Sequence, residues 1–205
     1  MRDKLVFAGL FALGVGILGA SWINISGIAN AQTEVPSDHA GPVMVIEVAG
    51  EANGEIRIAL RDDLAPGHVE RIVTLAERGD YDGVVFHRVI EGFMAQTGDV
   101  ANGKADGNPR LWGTGGSELP NLQAEFSGQP FERGVVGMAR SQDPNSANSQ
   151  FFIMFASAPH LNRQYTVVGQ MIEGYEVLDA IKRGTGGNGA VVGEPDRMQR
   201  VTIER

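Results

Sequence analysis

The chain's fold is limited most strongly by its many short runs of β-branched and aromatic residues, which glycine-rich turns separate along most of its 205 residues. Runs of this length bounded by Gly and Pro predict strands, and many strands with few helices are typical of a closed β-barrel or a sandwich. We found neither an internal repeat nor a second domain. The predicted strands are Val43–Val48, Glu55–Leu60, Val84–Ile90, Phe93–Gln96, Val135–Ala139, Phe151–Phe155, Tyr165–Met171 and Val201–Glu204.

Two segments predict helices. The first begins at Pro66, which suits a first helical position, and Gly79 lies where a C-terminal cap belongs. The second is predicted from Tyr175 to Arg183, where Gly184 ends it. Each has an apolar face, made of Val69, Ile72, Val73 and Ala76 in the first and of Val177, Leu178 and Ile181 in the second.

The composition excludes several classes of function. With no cysteine, the chain has no disulfide, thiol nucleophile or cysteine-bound zinc. A formal net charge of −8 without a basic stripe argues against nucleic acid as a partner. The four histidines show no metal-ligand spacing, and His87 is interpreted as a buried structural residue.

The N-terminus predicts export. Leu5 to Ile23 contains no charged residue and follows Arg2 and Lys4, and Ala29-Asn30-Ala31 matches a signal-peptidase site. We therefore expect residues 1–31 to be a signal peptide, 32–42 a flexible linker and 43–205 the functional domain, located in a bacterial periplasm. The alternative is an uncleaved anchor in the inner membrane that faces the periplasm, because the 19 uncharged residues from 5 to 23 are long enough to span a bilayer.

The segment from Phe86 to Asp99 has the residue types of an active site. Arg88, a cation that does not lose its proton in a protein, lies within a few residues of Phe93, Met94 and Gln96. A fixed donor beside apolar side chains suits chemistry in which charge shifts within a substrate and no atom is attacked. The segment Asn148–Ile153 adds an amide and two aromatic residues, and strand alternation predicts that Phe151 and Phe152 face opposite sides.

These segments resemble the signature of the cyclophilin-type peptidyl-prolyl cis-trans isomerases. The resemblance runs in order from 43 to 205, through Tyr81–Gly98, Gly113–Gly116, Gly137–Ala139, Asn148–Ile153 and Tyr165–Gly169. It implies a mainly-β fold, a closed eight-stranded antiparallel β-barrel capped by two α-helices. It also implies an isomerase of X-Pro bonds that needs no cofactor or metal and assists the folding of exported proteins.

The same resemblance implies roles for individual residues. The catalytic residues would be Arg88, Phe93 and Gln96. The substrate-binding residues would be Met94, Ala139, Gln150, Phe152, His160, Leu161 and Tyr165. Many eukaryotic members have tryptophan in place of His160 and histidine in place of Tyr165, so we expect weak cyclosporin binding. Many relatives have asparagine where this chain has Arg140, a change expected to be mild if the contact to substrate is through the backbone.

The expected partners are proline-containing peptides and unfolded or folding proteins, bound by a monomer. A competing function is a proline-peptide-binding chaperone that uses the same groove with little turnover. A hydrolase is disfavoured because the chain lacks a G-x-S-x-G motif. Residues 184–189 satisfy G-x-G-x-x-G but follow a helix instead of a strand, so we interpret them as a flexible loop and not a dinucleotide site.

Overall fold

The predicted strands form one antiparallel sheet in the computed structural model, which describes residues 41–205. Its strands are β1 (Val43–Ala49), β2 (Gly54–Leu60), β3 (Val84–Val85), β4 (Arg88–Ile90), β5 (Met94–Thr97), β6 (Val135–Met138), β7 (Phe151–Met154), β8 (Val167–Glu173) and β9 (Arg197–Glu204). The helices are α1 (Pro66–Glu77) and α2 (Tyr175–Ala180). The predicted signal peptide, and the linker up to residue 40, lie outside the described residues.

The strand order is β3-β9-β1-β2-β8-β6-β7-β5-β4. Its two edge strands, β3 and β4, are successive in the chain, so the sheet curls until its edges are joined by Phe86 and His87. The mainly-β architecture with two helices is confirmed. The sheet has nine strands instead of eight, and it is not the closed barrel that was expected, because its edge strands β3 and β4 do not pair with each other. The run predicted as one strand is divided because Phe86 N–H donates to Asp196 O (2.8 Å) and His87 O accepts from Val191 N–H (3.0 Å).

The main hydrophobic core lies between the curled sheet and the helices. Alternate residues of the paired strands β1 and β2 point into it, as the two-residue period of a strand requires. The apolar face predicted for α1 covers them. The buried residues of these three elements include Met44, Ile46, Val48, Ile56, Ile58, Leu60, Val69, Ile72 and Ala76.

The first helix has the predicted ends. Pro66 opens it, and Gly79 adopts the left-handed conformation (φ +73°) just beyond its last turn. Asp80 N–H donates to Leu75 O (2.9 Å) and Gly79 N–H to Ala76 O (2.9 Å), the pair of bonds that closes a Schellman cap.

The second helix is shorter than predicted, because it ends at Ala180 and not at Arg183. Ile181 is extended, and the next N–H, that of Lys182, donates to the buried carboxylate of Asp196 (2.7 Å). This charge-assisted bond takes the place of a helical one. Among residues 41–205, neither helix has the length and apolar character needed to cross a membrane.

Candidate active site

The register of three neighbouring strands brings together two predicted catalytic side chains, Arg88 and Gln96, and a predicted substrate-binding one, Phe152. Arg88 on β4 lies opposite Gln96 on β5, and Gln96 lies opposite Phe152 on β7. Directly opposed residues present their side chains on the same face of an antiparallel sheet. Met94, two residues before Gln96, shares this face. The intervening residues point to the core, so strand pairing alone lines up a cation, an amide and an aromatic ring.

A pocket of about 170 Å³ opens on this face. Of the ten predicted site residues, eight line it, and Arg140 does as well. These residues are Arg88, Phe93, Met94, Gln96, Ala139, Arg140, Phe152, Leu161 and Tyr165. Gln150 lies instead in an adjoining cavity of about 290 Å³, which shares Gln96, Ala139 and Arg140 with the first. His160 lies outside both linings, but its ring stacks on Phe93 (centroids 5.7 Å apart).

The guanidinium of Arg88 is held from two sides. Nη1 donates to Gln96 Oε1 (3.1 Å) and lies 3.8 Å from Met94 Sδ. Nε donates to Asn188 O (2.9 Å) and Nη2 to Asn188 Oδ1 (3.1 Å). These contacts leave one Nη2 N–H without an acceptor among residues 41–205. Burial lowers the pKa of Arg88 below its ordinary value, but an arginine in a protein stays protonated.

Gln96 is oriented in turn by a chain of amides. Its Nε2 donates to Gln150 Oε1 (2.9 Å), so its Oε1 must face Arg88. Gln150 Nε2 donates to the carbonyls of Gly113 (3.0 Å) and Gly115 (2.7 Å). The two glutamines therefore link the strands to the long loop at 101–120 and leave Arg88 with an uncharged acceptor.

A buried carboxylate fixes that loop. Asp99 is fully buried and accepts hydrogen bonds from three backbone N–H groups. They belong to Asn102 (2.9 Å), Gly113 (2.8 Å) and Gly115 (3.0 Å). Gly113 and Gly115, whose N–H groups donate to Asp99, also accept hydrogen bonds from Gln150 Nε2 through their carbonyl oxygens. Asp99 lies outside the pocket, but it fixes the position of Gln150 and, through it, of Gln96.

Aromatic rings form the apolar wall of the pocket. Phe131 stacks on Phe152 at 5.8 Å between centroids, and Tyr165 meets both rings edge-on at 6.5 and 5.8 Å. Phe152 is 5% exposed and belongs to this cluster, whereas Phe151 packs edge-on against Tyr81 in the main core. The prediction that the two phenylalanines face opposite sides is confirmed.

Arg140 closes the wall beside Tyr165. Its guanidinium lies 4.5 Å from the centre of the Tyr165 ring, and Nη1 and Nη2 donate to the carbonyls of Ser141 (2.9 Å) and Gln164 (3.0 Å). Its side chain thus lines both cavities. We based the expectation of a mild change on a backbone contact alone, and that expectation remains a prediction.

The loop at 184–189, which we interpreted as a flexible segment, is attached to β4 at both ends. Gly184 N–H donates to Val89 O (2.9 Å), and Ala190 forms a β-bridge with Arg88. Asn188 in this loop contacts Arg88, a role that the sequence did not indicate. Phe131 and Asp99 were also missed as parts of the site or its support, whereas Arg140 was expected beside the site through its backbone and lines the pocket with its side chain.

His87 is buried as predicted, at 7% exposure, beneath Gly113. Burial lowers the pKa of His87 from 6.5. Among residues 41–205, no three His, Asp or Glu side chains converge in a way that could hold a metal ion.

Comparison with known proteins connects this geometry to a family. Residues 43–203 match the family model described as cyclophilin type peptidyl-prolyl cis-trans isomerase/CLD. A relative from Brucella suis biovar 1 (strain 1330), named probable peptidyl-prolyl cis-trans isomerase, is 55% identical over 154 residues, which cover 74% of this chain and 79% of the relative. The peptidyl-prolyl cis-trans isomerase CYP18-1 of Arabidopsis thaliana is 39% identical over 150 residues, 73% of this chain and 90% of that protein.

Solved structures agree with the sequence relatives. The cyclophilin AquaCyp293 from Hirschia baltica has a TM-score of 0.63 and 27% identity, covering 78% of this chain and 73% of that one. A cyclophilin type peptidyl-prolyl cis-trans isomerase of Cryptosporidium parvum, crystallised in the presence of the dipeptide Ala-Pro, has a TM-score of 0.67 and 25% identity. The matched region covers 80% of this chain and 99% of the Cryptosporidium parvum chain.

Proposed function

Because the chain belongs to the cyclophilin-type peptidyl-prolyl cis-trans isomerases, we propose that it accelerates rotation about X-Pro bonds in exported proteins. The observation that carries this proposal is one available N–H of a fixed guanidinium at the edge of an apolar pocket. The side of that pocket formed by Phe93, Met94, Phe152 and Leu161 is apolar, and the volume of about 170 Å³ is enough to receive a proline ring.

The chemistry needs a donor and no nucleophile. Resonance gives a peptide C–N bond a rotation barrier of about 18–20 kcal/mol, and uncatalysed X-Pro isomerisation takes roughly tens to hundreds of seconds. In the twisted transition state, resonance is broken and the lone pair is localised on the prolyl nitrogen. A donor that bonds this nitrogen stabilises the twisted state more than either planar one, which lowers the barrier.

Arg88 supplies that donor in our proposal. Asn188 and Gln96 hold its other N–H groups, so the unoccupied N–H on Nη2 can meet the prolyl nitrogen without reorganisation. A hydrogen bond to a charged group contributes about 1.5–3 kcal/mol, which corresponds to roughly a ten- to hundredfold increase in rate. The remaining acceleration would come from the apolar wall, which excludes water and strengthens this bond.

The decisive experiment measures isomerisation of a short Xaa-Pro peptide and proline-limited refolding of a model protein. We expect turnover by the wild type, and a roughly ten- to hundredfold loss in kcat/KM in Arg88→Ala and Arg88→Lys. Lysine keeps the charge but lacks the planar fork that Asn188 and Gln96 hold. Arg110→Ala, on an exposed part of the long loop, is the matched control.

Two outcomes would contradict the proposal. Full activity in Arg88→Ala would remove the proposed role of this residue. Suppression of aggregation by the wild type without measurable turnover would support the chaperone alternative.

The cellular site is part of the same proposal and rests on the N-terminal sequence. Export to the periplasm predicts a mature chain that begins at Gln32. N-terminal sequencing of protein purified from a periplasmic extract tests this. An intact N-terminus in the membrane fraction would favour the anchored form, and recovery from the cytoplasm alone would contradict export.

A further inference from the structure

The structure assigns Asn188 as the positioning residue that sets the orientation of the Arg88 guanidinium. The inference rests on the isomerase function proposed above and extends it to a residue that is not itself part of the pocket lining but contacts Arg88, which is. Asn188 lies 100 positions from Arg88 in the chain, yet it provides two of the acceptors of the guanidinium.

The two contacts cover one edge of the guanidinium. Nε and Nη2 point to the same side of this planar group, and they donate to the backbone O (2.9 Å) and the side-chain Oδ1 (3.1 Å) of Asn188. Such a fork prevents rotation of the plane, because rotation would break both bonds together. Gln96 holds Nη1 from the other side (3.1 Å). The orientation of the remaining Nη2 N–H is thereby determined.

The backbone of Asn188 adopts the conformation that this fork needs. Its φ of +55° and ψ of +29° are left-handed, a region that asparagine tolerates better than other non-glycine residues. In this conformation the carbonyl and the side-chain oxygen of one residue both face the guanidinium. Within 41–205, only Asn188 and Arg163 are non-glycine residues with positive φ. One of these two unusual backbone conformations therefore occurs at the residue that binds the Arg88 guanidinium.

The loop that carries Asn188 is attached to the strand that carries Arg88. Gly184 N–H bonds Val89 O (2.9 Å), and a β-bridge pairs Ala190 with Arg88 itself. The following glycine packs so tightly against β4 that a Cβ on Gly189 would lie 2.3 Å from a side-chain carbon of Ile90. The loop and the strand therefore form one unit.

The groups that accept hydrogen bonds from the Arg88 guanidinium carry no charge. The Asn188 oxygens and Gln96 Oε1 are all uncharged, so they orient the guanidinium without neutralising it. A carboxylate in the same place would form an ion pair and reduce the positive charge available to the prolyl nitrogen. Orientation by amides leaves the full charge for the transition state.

The test is Asn188→Gly, measured on an Xaa-Pro peptide by exchange spectroscopy. Glycine keeps the left-handed backbone and the carbonyl contact and removes only Oδ1. We expect kcat to fall about tenfold, with KM changed by less than about twofold, because the group that is loosened acts on the transition state. Rates are compared per folded molecule, with the folded fraction taken from circular dichroism.

A double-mutant cycle separates positioning from a general structural effect. In an Arg88→Ala background, Asn188→Gly should change the rate by less than about twofold, because nothing is left to orient. Asn53→Gly, the same substitution at the distant β1–β2 turn, is the matched control and should behave as the wild type.

Two results would overturn the assignment. One is a kcat of Asn188→Gly within twofold of the wild type while Arg88→Ala is strongly impaired, in which case the proposed function stands and this inference fails. The other is an equal loss with and without Arg88. If Arg88→Ala itself retains full activity, the proposed catalytic role of Arg88 fails, and this inference fails with it.

Discussion

Replacing Asp99 by asparagine should destabilise the protein although the two side chains have the same shape. The carboxylate is fully buried and receives three backbone N–H groups, two on Oδ2 (Gly113 and Gly115) and one on Oδ1 (Asn102). Asparagine offers one oxygen and one NH2 group. In the better of its two orientations, the oxygen keeps both glycine bonds and the NH2 group faces the N–H of Asn102.

The magnitude follows from this count. The substitution loses one hydrogen bond to a charged group, about 1.5–3 kcal/mol, and leaves an N–H facing another donor, about 1–3 kcal/mol. Removing a buried charge returns part of this, because the carboxylate no longer has to be desolvated. We expect the free energy of unfolding to fall by about 2–4 kcal/mol. Asp99 also positions the two glycines whose carbonyl oxygens accept hydrogen bonds from Gln150. The substitution should therefore lower kcat/KM severalfold in the protein that remains folded.

Urea denaturation at neutral pH measures the first effect, and a peptide isomerisation assay the second. Asp106→Asn, at an exposed position of the same loop, makes the same chemical change without a buried partner and should shift the unfolding free energy by less than about 0.5 kcal/mol. Equal stabilities for Asp99→Asn and Asp106→Asn would refute the reasoning, since they would show that the three N–H groups do not depend on the carboxylate.

Two further substitutions test the pocket wall and a carboxylate that is hydrogen-bonded to the start of α1. Gly137→Ala would place a Cβ 2.6 Å from ring atoms of both Phe131 and Phe152. Because neither buried ring can retreat, we expect about 1–3 kcal/mol of destabilisation by urea titration and a lower kcat/KM, and an unchanged unfolding midpoint would contradict this. For Glu125, burial opposes ionisation, but hydrogen bonds from the ring and N–H of His68 and from a second backbone N–H outweigh it and lower the pKa of Glu125 from 4.5. A lowered carboxyl pKa stabilises the fold above the unfolded-state pKa, and this stabilisation is lost as the pH falls through the folded-state pKa. The stability difference between the wild type and Glu125→Gln should therefore be largest at neutral pH and shrink on acidification below about pH 4.5, the ordinary pKa of this carboxyl group, whereas a difference that stays constant down to pH 3 would argue against it.

The sequence by itself determined the features that depend on neighbours in the chain. Pro66 and Gly79 defined both ends of α1, because a helix start and a Schellman cap involve only residues within one or two turns. Strand alternation predicted that Phe151 and Phe152 face opposite sides, for the same local reason. The segment from Phe86 to Asp99 contained Arg88, Phe93, Met94 and Gln96 together, and all four line one pocket.

Only the tertiary structure decided features in which distant groups compete for the backbone or for a side chain. The carboxylate of Asp196 ends α2 by bonding the N–H of Lys182, and Phe86 bonds Asp196 O, which divides a predicted strand. The contact of Asn188 with Arg88 spans 100 residues. No local pattern encodes such pairs, because they form only after strand pairing has closed the intervening chain. The residue types for the chemistry were therefore visible in the sequence, whereas the orientation of the donor arises from the fold.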